Sequence, residues 1–158
     1  PTTGQAGSVT YDLDIPNYAK EALAMSGVAL TSSTAKDTVT VWPAAARPLD
    51  TKLPSPITAA RTFWPDETVT LYTEVYENKK RSAQPDFKVD LRSDAGRVVS
   101  SFPGKAGASD SNGSGTTFGF VTPIKLEGVN PGAYVLHVEA TNAATRSTVT
   151  RDIPIRVR

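Results

Sequence analysis

The chain contains few side chains whose type and spacing could carry out catalysis. Its one histidine, His137, lies in an alternating segment opposite Tyr134 and Leu136, so we expect a solvent-facing strand residue. No nucleophile-elbow motif accompanies this histidine. The sequence has no cysteine, which excludes disulfides, thiolate ligands and cysteine nucleophiles. One histidine without cysteine also makes a zinc site a poor fit.

Two pairs of carboxylates could in principle serve acid–base hydrolysis. They are Asp12 with Asp14, and Glu74 with Glu77. Spacing of two on a strand places the first pair on one face, but that face is simply the polar one. We therefore expect no catalytic, cofactor-binding or metal-binding residues in this chain.

Residues 104–115, GKAGASDSNGSG, are rich in Gly and Ser and predict a flexible loop. Asp110, Asn112 and Ser114 occupy alternate positions in it, as in the first half of a calcium-binding loop. The closing bidentate glutamate is missing, because its position holds Val121. A linker between strands is the favoured interpretation, and cation binding by this loop is left open.

Three aromatic side chains, Trp64, Tyr72 and Tyr76, could form a ligand or partner surface. The alternation of residues 68–76 places both tyrosines on one face of a strand, with Glu74 between them. Such rings can stack on sugar rings or on a partner chain. The favoured alternative is that they pack under a neighbouring loop. Trp64 stands before a proline and is expected at the end of the domain.

Alternating apolar and polar residues predict the strands that position these side chains. The predicted strands cover residues 9–15, 28–30, 38–42, 68–76, 87–91, 97–102, 117–126, 134–140 and 147–158. Residues 20–25 predict a short helical turn. Residues 35–62 contain four prolines and predict a long crossing loop. The sequences at Trp64–Glu67 and Ser93–Gly96 predict turns, with Gly96 in the left-handed region.

Short strands separated by turns, with almost no helix, predict an all-β, immunoglobulin-like two-sheet sandwich with a long Pro-rich crossing loop. Gly132, two residues before Tyr134, has the spacing of a tyrosine corner. We therefore expect Tyr134 to be mostly buried, with its hydroxyl bonded to backbone within residues 126–131. Pro154 cannot donate to a ladder and predicts a sheet edge or a strand break.

The length of 158 residues fits a single domain, 1–158, in which residues 1–33 could pack on the sandwich less tightly. The net charge of +1 lacks the basic excess typical of nucleic-acid binders. No apolar run approaches the length of a membrane span. Neither a nucleic-acid partner nor a membrane span in this chain is therefore expected.

Three segments resemble the C-terminal region of bacterial VWFA-related proteins of the Acidobacteria type. They are residues 14–32, 53–78 and 131–158, the last beginning PGAYVLHVEATN. Where that family favours a Gly-Asp pair before the strand, this chain has Asp66-Glu67. The resemblance implies an extracytoplasmic accessory β-domain that follows a von Willebrand A domain. The metal-ion adhesion motif belongs to the A domain, and nothing here matches it.

The predicted function is a non-enzymatic accessory or interaction module of a larger exported bacterial protein. It would act by surface or strand-edge contacts with a protein, either a neighbouring domain or a surface partner. The alternative is a carbohydrate-binding module that uses Tyr72, Tyr76 or a tryptophan as its platform. The expected location is extracytoplasmic, on the basis of the resemblance.

Overall fold

The computed structural model describes residues 17–18, 20–34, 53–78, 83–112 and 115–158, and for residues 105–112 it describes the backbone alone. This part of the chain forms strands and turns without helix. Its strands make two five-stranded sheets that pack as a sandwich. The all-β, two-sheet prediction is therefore confirmed, while the immunoglobulin-like topology stays a prediction.

Sheet A is built around one long strand in its centre. Its strands are β1 (Leu23–Met25), β2 (Ala29–Ser32), β4 (Thr68–Glu77), β7 (Lys105–Asn112) and β8 (Gly115–Lys125). Their order is β1-β4-β8-β7, and β2 pairs with β4 beside β1. The two N-terminal strands therefore join the sandwich by pairing along one side of β4.

Sheet B contains the C-terminal hairpin of the chain. Its strands are β3 (Thr62–Phe63), β5 (Asp86–Ser93), β6 (Val98–Pro103), β9 (Gly132–Asn142) and β10 (Ser147–Val157). Their order is β3-β10-β9-β5-β6. The short strand β3 runs parallel to β10, and the other described pairings of sheet B are antiparallel.

The core lies between the inner faces of the two sheets. On β4 the alternation works as predicted, because Val69, Leu71 and Val75 are fully buried. Phe87 of sheet B stacks on Phe120 of sheet A, with ring centroids 4.4 Å apart. This contact joins the two layers through the largest apolar side chains of the core, where aromatic pairs add to the burial energy.

Two sequence predictions of secondary structure were wrong. Residues 105–112, expected to belong to a flexible loop, form strand β7 on the outer edge of sheet A. Backbone pairing with the free side of β8 outweighs the Gly- and Ser-rich composition, because β propensity depends strongly on context. Residues 23–25, expected in a helical turn, form β1, and all three are buried against β4.

Both predicted turns are present. The Gly96 N–H donates to the Ser93 carbonyl at 2.8 Å, and Gly96 has a φ of 76°. The Glu67 N–H donates to the Trp64 carbonyl at 3.1 Å.

The predicted strands at residues 9–15 and 38–42 lie outside the described residues, as do Trp42, Asp12 and Asp14. Of the crossing loop, residues 53–61 are described, and they run beside β2, where the Thr58 N–H donates to the Leu30 carbonyl at 2.8 Å.

The Tyr134 hydroxyl donates to the Asn130 carbonyl at 2.7 Å, which is the hydrogen bond predicted from the sequence. The residue is partly buried and its side chain packs against the core, in agreement with the expectation of a mostly buried residue. The ring lies close to Gly132, where an added Cβ would come within 3.4 Å of it. Gly132 thus leaves room for the ring at the entrance to β9.

Tyr134→Phe should lower the free energy of unfolding by about 1 kcal/mol, since it removes one hydrogen bond to a carbonyl that water can still reach. Urea unfolding monitored by circular dichroism measures this change. Tyr134→Ala, which also removes the packed ring, should cost more. An unchanged urea midpoint for Tyr134→Phe would show that the hydroxyl contributes nothing to stability.

The sheet edges of the described strands carry features that oppose strand addition. The Arg156 N–H donates to the carbonyl of Arg61, just before β3, and the Arg158 N–H donates to the carbonyl of Phe63 in β3. Because backbone groups alternate along a strand, the nitrogen of Pro154 points to the same side of β10. Strand β3 does not extend as far as Pro154. Although β10 is an inner strand in the order of sheet B, Pro154 therefore lies where no described strand pairs with that side of β10. Strand β6 ends at Pro103, and its pairing with β5 shifts register. The pairing of β7 with β8 shifts register as well. Prolines and bulges at edges discourage pairing with another chain.

Candidate binding site at one end of the sandwich

The turn Trp64–Glu67 lies where several strands meet at one end of the sandwich. It connects β3 of sheet B to β4 of sheet A. Thr68 pairs with Lys125 at the end of β8, and Phe63 pairs with Val157 at the end of β10. We call the turn, the adjacent Arg158 and the clefts around them the Trp64 end.

The Glu67 side chain holds this turn in place. It is only 5% exposed, and its Oε1 accepts a hydrogen bond from the Trp64 N–H at 3.1 Å. Its Oε2 accepts a hydrogen bond from the Ser32 hydroxyl on β2. One carboxylate therefore closes the turn on itself and ties it to a strand distant in sequence. A buried carboxylate is tolerated because both of its oxygens are hydrogen-bonded.

Trp64 is 52% exposed, which is unusual for a side chain of this size. Its neighbour is Arg158, whose guanidinium carbon lies 5.4 Å from the ring centroid, within range of a cation–π contact. The pairing of β3 with β10 places these two side chains together, because the Arg158 N–H donates to the Phe63 carbonyl at 3.0 Å. The exposed indole is thus held by the backbone below it and by a cation over one face of its ring.

Three clefts lined by described residues adjoin the turn. A cleft of about 210 Å³ lies beside Trp64, and its polar lining includes Ser32, Thr34, Thr58, Thr62 and Glu67. A second, of about 340 Å³, is lined by Thr31, Ser33, Pro54, Ser55, Thr68 and Thr70. A third, of about 420 Å³, lies on the other side of the turn, with Glu67, Thr68, Lys125 and Glu127 among its residues. The first and third clefts both include Glu67 among their residues, and the second and third both include Thr68.

The two tyrosines predicted as a possible platform lie on the outer face of sheet A. Tyr72 is only 4% exposed, so its ring cannot offer a free face to a ligand. Both hydroxyls donate to the carboxylate of Glu74, at 2.6 Å from Tyr72 and 2.8 Å from Tyr76. Tyr76 is half-buried, and its ring lies 5.5 Å from that of Tyr18. The burial of Tyr72 agrees with the packing interpretation.

Burial, the hydrogen bond to Glu74 and the charge of Glu74 raise the pKa of the Tyr76 hydroxyl well above its ordinary value. Folding therefore keeps this phenol neutral at pH values where the unfolded chain ionises. The resulting stability is fully present below about pH 10, the usual tyrosine pKa, and is lost as the pH rises above it. Tyr76→Phe should remove this part of the alkaline pH dependence, which urea unfolding at neutral and alkaline pH can measure. An equal alkaline loss of stability in both proteins would contradict the prediction.

The acidic groups considered for hydrolysis do not come together. Glu74 faces outward, while Glu77 is buried in the core, because an odd spacing on a strand places side chains on opposite faces. The two carboxylates therefore cannot act on one substrate. In the described part of the chain, His, Asp and Glu side chains form no group of three suited to a metal ion.

His137 lies on the outer face of sheet B, as predicted, but its side chain is only 13% exposed. Its Nδ1 lies 2.6 Å from Asp152 Oδ1, and its Nε2 lies 3.9 Å from Glu139. The expectation of a solvent-facing histidine was therefore wrong in its degree of exposure. It lies between the aspartates of the two neighbouring strands, since Asp90 and Asp152 are its partners in register.

Asp90 belongs to the same polar row and is only 4% exposed. Burial on its own would raise the pKa of Asp90. The hydrogen bond from Ser101, at 2.7 Å, and the nearby charges of Lys88 and Arg92 outweigh burial and lower this pKa. Asp90 is thus held as a carboxylate by its neighbours, which is what a structural ion-pair network requires.

Sequence reasoning selected Trp64 but missed the residue that positions it. The signal was present in the turn Trp-Pro-Asp-Glu, because a glutamate at the fourth position can reach back to the first N–H, as in a helix capping box. The contact with Ser32 could not be foreseen, since it spans 35 residues of sequence.

None of the described residues belongs to a helix long and apolar enough to cross a membrane.

The fold and the Trp64 end together define an all-β sandwich domain with an exposed tryptophan and several clefts at one end. No family model matches the chain, and no curated protein matches it. Among solved structures, the chain is similar to a family 123 glycoside hydrolase from Clostridium perfringens, with a TM-score of 0.44 and 14% sequence identity over 87% of this chain. The chain spans about a quarter of the length of that protein, 27%.

Proposed function

We propose that this chain is a non-enzymatic accessory module that binds its partner by surface contact at the Trp64 end. The observation that carries the proposal is the 52% exposure of Trp64 on a turn fixed by the buried Glu67. Exposed tryptophans next to concave surfaces are frequent anchors of binding interfaces. A side chain that is already rigid loses little conformational entropy on binding, which favours affinity.

Surface contact is favoured over strand-edge pairing. The free side of β10 contains Pro154, and β6 ends at Pro103 with a register shift before it. Both features weaken a sheet edge as a template for another strand. The Trp64 end has no such obstacle, because its binding groups are side chains and clefts.

A non-enzymatic role is supported by the way the acidic side chains are used. Glu67 closes a turn, Glu74 accepts hydrogen bonds from two tyrosines, and Asp90 is held by Ser101 and two cations. Each of these carboxylates serves the fold, whereas a general acid or base must reach a proton on a substrate.

We also propose that the module belongs to a larger exported bacterial protein and acts outside the cytoplasm. The support is the sequence resemblance to the C-terminal region of VWFA-related proteins. Determination of the complete gene tests this directly. A von Willebrand A domain and an export signal upstream are expected, and a fusion to a cytoplasmic enzyme would contradict the proposal.

Site-specific photo-cross-linking tests the location of the binding surface. A photoreactive amino acid replaces Asp66, exposed in the turn, or Arg146, exposed in the β9–β10 hairpin at the opposite end. The tested partners are the neighbouring domains of the same protein and extracts of the bacterial cell surface. We expect cross-links from position 66 that disappear with Trp64→Ala, and few from position 146. Equal cross-linking from both positions would overturn the assignment of the surface.

A further inference from the structure

We infer that the ligand of the Trp64 end is a carbohydrate, a short oligosaccharide that stacks one sugar ring on Trp64 and fills the adjoining clefts. The inference rests on the proposed function and deepens it, because it names the ligand class of the same site. Four features of the site support it: the indole face, the hydroxyl groups, the charges and the size of the clefts.

The indole of Trp64 supplies a flat apolar surface beside polar groups. The Arg158 guanidinium lies over one face of the indole, 5.4 Å from the centroid, so a stacked ligand would use the other face of this largely exposed side chain. A sugar ring has an apolar C–H face and polar hydroxyls around its rim. It therefore matches an aromatic ring that has an exposed apolar face next to polar groups and water. Trp64 is therefore suited to be the stacking platform. Tyr72 is not, because it is buried.

Hydroxyl groups line much of the cleft beside Trp64 and also contribute to the second cleft. In the cleft beside the indole these come from Ser32, Thr34, Thr58 and Thr62, and in the second cleft from Thr31, Ser33, Ser55, Thr68 and Thr70. A hydroxyl both donates and accepts hydrogen bonds, as the hydroxyls of a sugar do. The Thr31 hydroxyl is buried at the second cleft and has no hydrogen-bond partner among the described residues. Unpaired buried polar groups in a native structure often belong to a site completed by water or a ligand.

The charges around the turn are mixed in sign. Asp66, Glu67 and Glu127 lie near Lys125 and Arg158, and the chain as a whole has a net charge of +1. A phosphate-rich or strongly acidic ligand would call for a basic excess. The site is therefore better matched to a ligand that is neutral and rich in hydroxyls.

The size of the clefts favours several small units over one large ligand. The cleft beside Trp64 has about 210 Å³, below the range of about 300–1,000 Å³ usual for drug-sized ligands. The neighbouring clefts have about 340 and 420 Å³ and share Thr68 with each other. A chain of sugar rings can place successive units in adjoining clefts, which a single compact molecule cannot do.

Tryptophan fluorescence reports on this site because the chain has only two tryptophans, Trp42 and Trp64. In the Trp42→Phe variant of the 158-residue chain, the signal comes from Trp64 alone. The probes are short xylo-, gluco-, galacto- and N-acetylglucosamine oligosaccharides, after a first screen on a glycan array. We expect a saturable change in fluorescence with at least one of these series.

Calorimetry on the otherwise unchanged chain then measures the affinity for that oligosaccharide. Trp64→Ala should weaken binding at least about tenfold, as removal of a central aromatic anchor does. Trp64→Phe, which retains a smaller ring, should weaken it less. Tyr76→Phe on sheet A and Arg146→Ala at the opposite end are matched controls and should bind as the parent does. Circular dichroism shows whether each variant is folded.

Two outcomes overturn the carbohydrate inference: no oligosaccharide changes the Trp64 fluorescence or binds on the array, or Trp64→Ala binds as tightly as the parent. The cross-linking experiment separates this failure from that of the proposed function. If cross-linking to a protein from position 66 still depends on Trp64, the surface is correct and its partner is a protein. If neither binding depends on Trp64, the proposed function fails as well.

Discussion

Asn142→Ala should lower the free energy of unfolding by about 3 kcal/mol, an effect as large as the loss of a core side chain. Asn142 of β9 is only 2% exposed, and its Nδ2 donates to Glu77 Oε1 at 2.7 Å. Glu77 belongs to β4 and is also 2% exposed. This hydrogen bond therefore links the two sheets across the end of the core opposite the Trp64 end.

The size of the effect follows from what the substitution leaves behind. In the part of the chain that the structure describes, Glu77 Oε2 is buried without a hydrogen-bond partner, so the carboxylate already has one poorly satisfied oxygen. Loss of the Asn142 amide would remove the donor to the other oxygen. Asn142 Oδ1 also accepts the N–H groups of Ala144 and Thr145, at 2.9 and 3.2 Å, and these would lose their acceptor. Unpaired buried groups cost more than the net value of the hydrogen bonds they made.

A double-mutant cycle separates the inter-sheet hydrogen bond from the local turn. The four proteins are the parent, Asn142→Ala, Glu77→Leu and the double variant, each unfolded by urea; leucine has no oxygen to accept the Asn142 hydrogen bond. Since the two side chains are in contact, their effects should differ from additivity by more than about 0.5 kcal/mol. Strict additivity would mean that Asn142 stabilises the β9–β10 turn alone, and that the link between the sheets contributes little.

The central strands of the sheets could be predicted because the alternation of apolar and polar residues is a local signal. Val69, Leu71 and Val75 alternate with polar residues, and a single buried face is enough to fix both the strand and its orientation. The edge strand β7 lacks this signal, because its residues are small and polar and its conformation comes from pairing with β8. Composition alone therefore suggested a loop.

The candidate site could be predicted only in part for a similar reason. The turn and the exposure of Trp64 follow from Pro65 and the residues next to it, which is local information. The contacts that fix the site join residues far apart in sequence. The Glu67 carboxylate accepts a hydrogen bond from the Ser32 hydroxyl, and the Arg158 guanidinium lies over the Trp64 ring. The burial of Tyr72 is also nonlocal, since its ring lies over Gly119 of the neighbouring strand, where an added Cβ would be 3.4 Å from its hydroxyl. Pairwise contacts of this kind depend on the register of distant strands, which periodicity does not reveal.

Glu67→Ala should affect both stability and binding, and it links the fold to the proposed function. Removal of the side chain leaves the Trp64 N–H and the Ser32 hydroxyl without their shared acceptor and opens a small cavity. We expect a loss of about 2–4 kcal/mol in the free energy of unfolding. Asp66→Ala is the matched control in the same turn, because Asp66 is exposed, and it should stay within about 0.5 kcal/mol of the parent.

The binding measurement distinguishes a positioning role from a purely structural one. Glu67→Gln keeps an oxygen that can accept the Trp64 N–H, so it should retain the orientation of the turn and bind within a few-fold of the parent. Glu67→Ala should remain folded at room temperature, since a typical domain has about 5–15 kcal/mol of stability, and yet bind at least about tenfold more weakly. The Trp64 fluorescence in the Trp42→Phe background should shift in Glu67→Ala without ligand, because the indole is no longer held. The opposite result is a folded Glu67→Ala variant that keeps the parent fluorescence and binds as tightly as Glu67→Gln. The position of Trp64 would then not depend on this carboxylate, and Arg158 and the β3–β10 pairing would hold the exposed indole instead.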